Sequence, residues 1–359
     1  MNRNQSLDVL RGLAILLVLG RHYNHPGLWF KAGFSGVDLF FVLSGFLISG
    51  LLFSEYRRNG AIDLKRFWIR RSFKIYPAFY AFMIFVIVDY ACMGELTRHI
   101  FSDLFFLQDY IKPIAGHGWS LGVEEKFYFA LPILLLLMMR LGRNRVDPFR
   151  FVPHVFIVLF CGCLALRIHA LMHNASWEAS SHPAHLRIDS LFAGVTLGYF
   201  QHFRGEEFQR AGRWPLWIPG IALLIPLAFW DLGSPWMDTI GFGMLSLGYG
   251  LIVLWAVNRS FPRSRLLRAM AWIGRFSYSI YLWHFPVRMF LAYDATSNLL
   301  LLPVYLAACL GFGWLAAWLV ETPFLRLRDK LYPASSVRRP IKMEVFGINR
   351  VPWVSAKVL

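Results

Sequence analysis

The sequence predicts an all-α, polytopic integral membrane bundle of about ten transmembrane helices with both termini cytoplasmic, and three observations carry that expectation. Of its 359 residues, 57% are hydrophobic and 16% charged, which is more apolar than an ordinary soluble domain. Apolar runs long enough to cross a bilayer recur along the chain. Finally, the basic residues gather in every second connection, as the positive-inside rule requires of a chain that threads back and forth.

The ten predicted spans are about 7–24, 34–53, 73–92, 120–139, 151–171, 184–202, 216–231, 238–257, 273–292 and 299–320. The first follows a single Arg3 and meets no small-residue cleavage site, so it reads as a retained helix. It carries Arg11 and His22, eleven steps apart; about 100° and 1.5 Å per residue set them on one face, roughly 16 Å apart along the axis. A charge in hydrocarbon costs on the order of 3 kcal/mol or more, so both groups are expected to face protein. Between spans two and three lie Arg57, Arg58, Lys65, Arg66, Arg70, Arg71 and Lys74. Segment 98–111, with Arg98, Asp103 and Asp109, is too short and polar to span and is expected at an interface or as a re-entrant turn. Further basic clusters follow span four (Arg140, Arg143, Arg145, Arg150), span six (Arg204, Arg210, Arg213) and span eight (Arg259, Arg263, Arg265, Arg268), whereas the alternate loops hold Lys31, Arg98 and Lys112. This divides the chain into a membrane domain, 1–325, and a basic cytoplasmic tail, 326–359, which Pro333 and Pro340 interrupt.

The formal net charge of +16 would suit nucleic acid. These charges, however, sit at the cytoplasmic ends of helices, where anionic lipid is their partner, so no nucleic-acid role is expected. The cysteines Cys92, Cys161, Cys163 and Cys309 fall in or beside spans without the partners of a metal site, and no metal is expected. Phosphate-loop, dinucleotide and zinc-protease motifs are missing, and no internal repeat marks a secondary transporter. With the orientation fixed, polar residues of the spans sort by depth. An inner layer holds Asp8, Arg11, Arg70, Arg71, Lys74, Arg275 and Glu321; an outer one holds His22, Asp38, Glu124, Glu125, Arg187 and Asp189, with His284 near mid-depth. Arginines suit phosphates and histidine–carboxylate pairs suit proton transfer. Interhelical ion pairs, such as Arg187 with Asp38 or Glu124, are the structural alternative.

Four segments give this pattern a family. Leu7-Asp8-Val9-Leu10-Arg11-Gly12 leads to His22; Gly36-Val37-Asp38-Leu39-Phe40-Phe41-Val42-Leu43-Ser44-Gly45 opens span two. Trp119-Ser120-Leu121-Gly122-Val123-Glu124-Glu125-Lys126-Phe127-Tyr128 and Ser277-Tyr278-Ser279-Ile280-Tyr281-Leu282-Trp283-His284 complete the set. Together they resemble the type-3 acyltransferase family of membrane O-acyltransferases, from Leu7 to about Arg328. The family's arginine-rich stretch stands here as Arg70-Arg71-Ser72-Phe73-Lys74, with a lysine where arginine is usual, which weakens a bidentate phosphate contact at position 74.

The resemblance implies transfer of an acyl group, usually acetyl, from cytoplasmic acyl-CoA to a hydroxyl of a carbohydrate or lipid-linked glycan, in the cell (inner) membrane. Acyl-CoA is then a co-substrate, and no cofactor is bound. Some members carry a fused extracytoplasmic hydrolase-like domain; none is expected here, so a separate extracytoplasmic transferase or a single-domain route would complete the reaction. In this reading His22 is the general base or itself takes the acyl group, and Glu124 or Asp38 orients it. Arg11, Arg70, Arg71 and Lys74 hold the donor. Arg187, Asp189, Tyr128 and His284 are candidates for the acceptor, the oxyanion or structure. A glycan or anion transporter that transfers no acyl group is the rival expectation.

Overall fold

A computed structural model describes residues 4–23, 25–95, 97–143, 145–262, 264–291 and 298–333. These are built from helices, with no strand among them. The principal ones are α1 (Gln5–His22), α2 (Gly36–Asn59), α3 (Leu64–Cys92), α4 (Trp119–Leu141), α5 (Val152–Met172), α6 (Ala184–Phe203), α7 (Phe242–Val257), α8 (Arg265–Arg275), α9 (Ser277–Phe290), α10 (Leu302–Ala316) and α11 (Thr322–Leu331).

Local chemistry sets several of their ends. The Asn4 side chain accepts from Ser6 N at 2.9 Å and Asp63 accepts from Arg66 N at 3.0 Å, so both helices start with an orphan N–H satisfied. Helix α2 stops at Gly60, whose φ of 69° lies in the left-handed region that costs glycine nothing.

Helix occupies every expected span, but not every helix is apolar enough to count as one by itself. Among the described residues five stretches are long and apolar enough to cross a membrane: Leu28–Asn59, Leu64–Cys92, Val152–Met172, Met237–Val257 and Leu299–Leu331. A sixth is reached if Gly205–Gly212 and Trp217–Phe229, bent by 74°, form one span. The remaining helices are shorter or interrupted by charge: α4 holds Glu124, Glu125 and Lys126 in sequence, and α9 is 14 residues long. The expected seventh span breaks into the short helices Trp217–Ala222 and Pro226–Phe229. Helix α11 carries the chain through position 325 to Leu331; residues 334–359 of the expected tail lie outside the described residues.

Helices α2 and α6 share the most extensive contact in the bundle. A Cβ on Gly45 would stand 1.8 Å from the Leu191 carbonyl oxygen, and one on Gly194 2.1 Å from that of Val42, so the two backbones pack directly on each other. Small residues at such a contact are how helices gain attraction where lipid offers the same apolar surroundings as protein. Helix α5 lies at the periphery, burying Val152, Cys163 and Arg167. Helix α1 runs through the middle, against α2, α8 and α9, and this places its polar face beside the cavities described next.

Candidate active site

Two cavities open along the polar face of α1. One, of about 310 Å³, is lined by Arg11, Arg71 and Lys74 together with Glu124, Glu125 and Tyr128; we call it the arginine cavity. The other, of about 880 Å³, is lined by His22, His117, His182, Arg187 and Trp119; this is the histidine cavity. Arg11 and His22 thus reach separate chambers from the same helix face, as their eleven-residue spacing predicts.

In the arginine cavity, α2, α3 and α4 meet in one network. Ser44 donates to Glu124 Oε1 at 2.7 Å, and the Tyr128 hydroxyl donates to Glu124 Oε2 at 2.6 Å. The Arg71 guanidinium lies 3.9 Å from the centre of the Tyr128 ring, within cation–π distance. Its Nε has no hydrogen-bond partner among the described residues. Arg11 is 3.3 Å from Asp8, and Lys74 pairs with Glu321, which also accepts from Ser279 at 2.8 Å. Arg70 turns elsewhere: it pairs with Asp329 at 3.2 Å and donates to the Tyr332 carbonyl, so it ties α3 to α11 and does not line the cavity. Consecutive helical positions point about 100° apart, and that separates Arg70 from Arg71.

On the other side, His22 meets a second histidine rather than a carboxylate. His284 Nδ1 is 2.6 Å from the Tyr281 carbonyl oxygen, which can only accept, so Nδ1 carries the hydrogen. In the neutral ring Nε2 then accepts, from His22 Nδ1 at 3.1 Å. The His22 Nδ1–H is shared with the Val18 carbonyl at 3.0 Å. The sequence of bonds leaves the lone pair of neutral His22 on Nε2, the form a general base requires.

The two carboxylates expected to orient His22 have other partners in the structure. Glu124 is engaged by Ser44 and Tyr128, and Asp38 accepts from Arg187 at 2.6 Å; neither is bonded to His22. Arg187 is likewise held by that pair, by the Ser181 carbonyl at 3.0 Å and over the Phe242 ring at 3.9 Å, which is the ion-pair alternative raised from the sequence. Asp189 binds Arg167 at 2.6 Å, with both side chains fully buried. Tyr128 lies in the arginine cavity, apart from the histidines.

Several polar residues escaped the sequence reading. Arg167, inside the apolar run of α5, was available as an ionisable group in a span. His117, two residues before Trp119, stands with its ring 5.1 Å from that of His284 and stacks on Phe285. His182 stacks on Trp119 with centroids 4.4 Å apart. Both nitrogens of His117, His182 Nε2, Gln108 Oε1 and Arg187 Nε lack hydrogen-bond partners among the described residues, and all five atoms belong to residues of the histidine cavity. Buried polar atoms are costly unpaired, and a hydroxyl-bearing ligand offers donors and acceptors to satisfy them. Among the described residues no group of His, Cys, Asp and Glu is arranged to hold a metal ion.

The fold defines a helical bundle with several apolar helices of membrane-spanning length and two polar-lined cavities, and its sequence relatives supply the family. The model of the family described as an acyltransferase domain, acyltransferase 3, matches residues 4–319. The chain is 30% identical over 314 residues to the peptidoglycan O-acetyltransferase OatA of Listeria monocytogenes, covering 79% of this chain and 49% of that protein. It is 28% identical over 327 residues to the O-acetyltransferase OatA of Staphylococcus aureus, covering 79% and 50%. The chain spans about half the length of the curated relatives it matches. No solved structure matches it. This chain belongs to the acyltransferase 3 family.

Proposed function

We propose that this chain moves an acyl group, usually acetyl, from cytoplasmic acyl-CoA to a hydroxyl of a carbohydrate or lipid-linked glycan, as a ten-span protein of the cell (inner) membrane with cytoplasmic termini. The observation that carries the reading is the pair of cavities, one basic and one histidine-lined, on a single face of α1. Arg11 and Arg71 offer charge-assisted contacts to the phosphates of CoA, and Lys74 adds a point charge tempered by Glu321. The histidine cavity takes the acceptor: Trp119 and His182 give a flat aromatic face for a sugar ring, and the unpaired polar atoms around it match hydroxyls.

In the reaction, His22 Nε2 removes the proton from the acceptor hydroxyl as its oxygen attacks the thioester carbonyl carbon. A C–O bond forms, the C–S bond breaks, and the proton passes from the imidazolium to the departing CoA sulfur. His284 holds the tautomer that starts this sequence. In this single-domain route the acylated glycan leaves on the far side directly.

Purified protein in lipid nanodiscs, given radiolabelled acetyl-CoA and chitotriose or envelope vesicles, is expected to label the acceptor. His22→Ala should lower that rate by roughly 10² to 10⁴ while leaving abundance unchanged. Near-normal labelling by the variant would remove His22 from catalysis, and no labelling by the wild type would favour a transporter.

A further inference from the structure

Val37 and Tyr281 are the two residues that line both cavities. They stand on different helices, α2 and α9, and are buried. They stand where the two cavities adjoin, so a group crossing from the arginine side to the histidine side passes beside them.

Both walls of this aperture are stiff. The Tyr281 hydroxyl donates to the His117 carbonyl oxygen, which uses its hydrogen. The 2.7 Å contact with Ser120 Oγ must then run from the serine, so the hydroxyl is held from two directions. At the other end of the same residue, its carbonyl oxygen is bonded by His284 Nδ1. Val37 is β-branched in a helix and has one strongly preferred rotamer. Neither side chain can turn aside without losing contacts.

We propose that Val37 and Tyr281 form a selectivity aperture that reads the cross-section of the acyl group rather than its length. The inference rests on the acyl-transfer reading above. To bring a thioester carbonyl to His22 while CoA stays in the arginine cavity, the acyl group must enter the aperture tail first. A straight chain presents the same cross-section as a methyl group, whereas a group branched beside the carbonyl presents a wider one. The 880 Å³ beyond leaves room for the straight tail. Acetyl and butyryl therefore pass, and isobutyryl, an isomer of butyryl with the same atoms, is held back.

The test measures CoA thiol release by the full chain in nanodiscs with chitotriose as acceptor and acetyl-, butyryl- or isobutyryl-CoA as donor. The wild type should prefer butyryl over isobutyryl by about tenfold or more, the scale at which a shaped apolar site rejects a misplaced methyl group. Val37→Ala should shrink that preference about tenfold. Tyr281→Phe keeps the ring but frees it from Ser120 and His117, and should shrink the preference by a smaller factor. Thiol release with an unchanged butyryl-to-isobutyryl ratio in both variants would overturn the aperture and leave acyl transfer standing. No thiol release from any donor would overturn the transfer reading, and the aperture with it.

Discussion

Neighbouring residues of one helix can serve different ends, and Arg70 and Arg71 show it. Arg71 lies against Tyr128 in the arginine cavity, while Arg70 is bound to Asp329 and the Tyr332 carbonyl. Contacts to the CoA phosphates would be made in the ground state and the transition state alike, so Arg71→Ala should raise the acyl-CoA KM with a smaller fall in kcat. Arg70→Ala should leave that KM within about twofold of wild type, since it touches no part of the cavity; equal effects of the two substitutions in steady-state kinetics would contradict the assignment. Nothing in Arg70-Arg71 as a dipeptide distinguishes them, because which one faces the cavity is set by how α3 meets α4 and α11. The Arg11–His22 relation was legible for the opposite reason: both lie on one helix, and helical period alone fixes their common face. The partner of His22 was not, since His284 is 262 residues away and Glu124 and Asp38 were equally close in the predicted depth map.

At the scale of elements, the α2–α6 contact depends on absent side chains. Gly45→Ala would drive a methyl group into the Leu191 carbonyl and should cost at least about 1–3 kcal/mol. Gly162→Ala, on the exposed face of α5 with nothing within 4 Å, is the matched control; melting curves in detergent that fail to separate the two would refute the close pair. The segment 98–118 shows another element-level property. Asp103 is buried there and accepts from Ile114 N at 2.8 Å, and burial raises its carboxyl from the ordinary range to about 6. The unfolded chain gives up this proton near the ordinary value and the folded chain only near 6, so across that window the folded state binds more protons and stability falls as pH rises. Asp103→Asn should therefore flatten the decline of melting temperature between about pH 4 and 6. An unaltered slope would show that the carboxyl titrates normally. Length and composition suffice to mark this segment as too short and polar to span. Its fold is not legible in the same way, because it depends on a side chain reaching a backbone amide eleven residues on.

For the whole molecule, alternating basic loops predict a definite sidedness. In a variant without native cysteines, one placed at Arg143 or Arg145 should be shielded from a membrane-impermeant thiol reagent in intact cells, and one at Ser176 should react. Ser176 protected from outside would break the two-sided arrangement of donor and acceptor. Helix was foreseeable in all ten apolar runs because hydrophobic length is written in composition. The division into chambers was not, since it is made by α1, α2, α4 and α9 together and by no single run.

The same two side chains that separate the chambers carry a further duty. If one chamber opens to the cytoplasm and the other to the outside, Val37 and Tyr281 are part of the barrier that holds the cell's proton and ion gradients at this point of the bilayer. An enzyme of this design is a channel kept shut. Loosening it to admit bulkier donors trades chemistry against leakage, and the tight hold of Ser120 and His117 on Tyr281 is then as much a matter of bioenergetics as of catalysis.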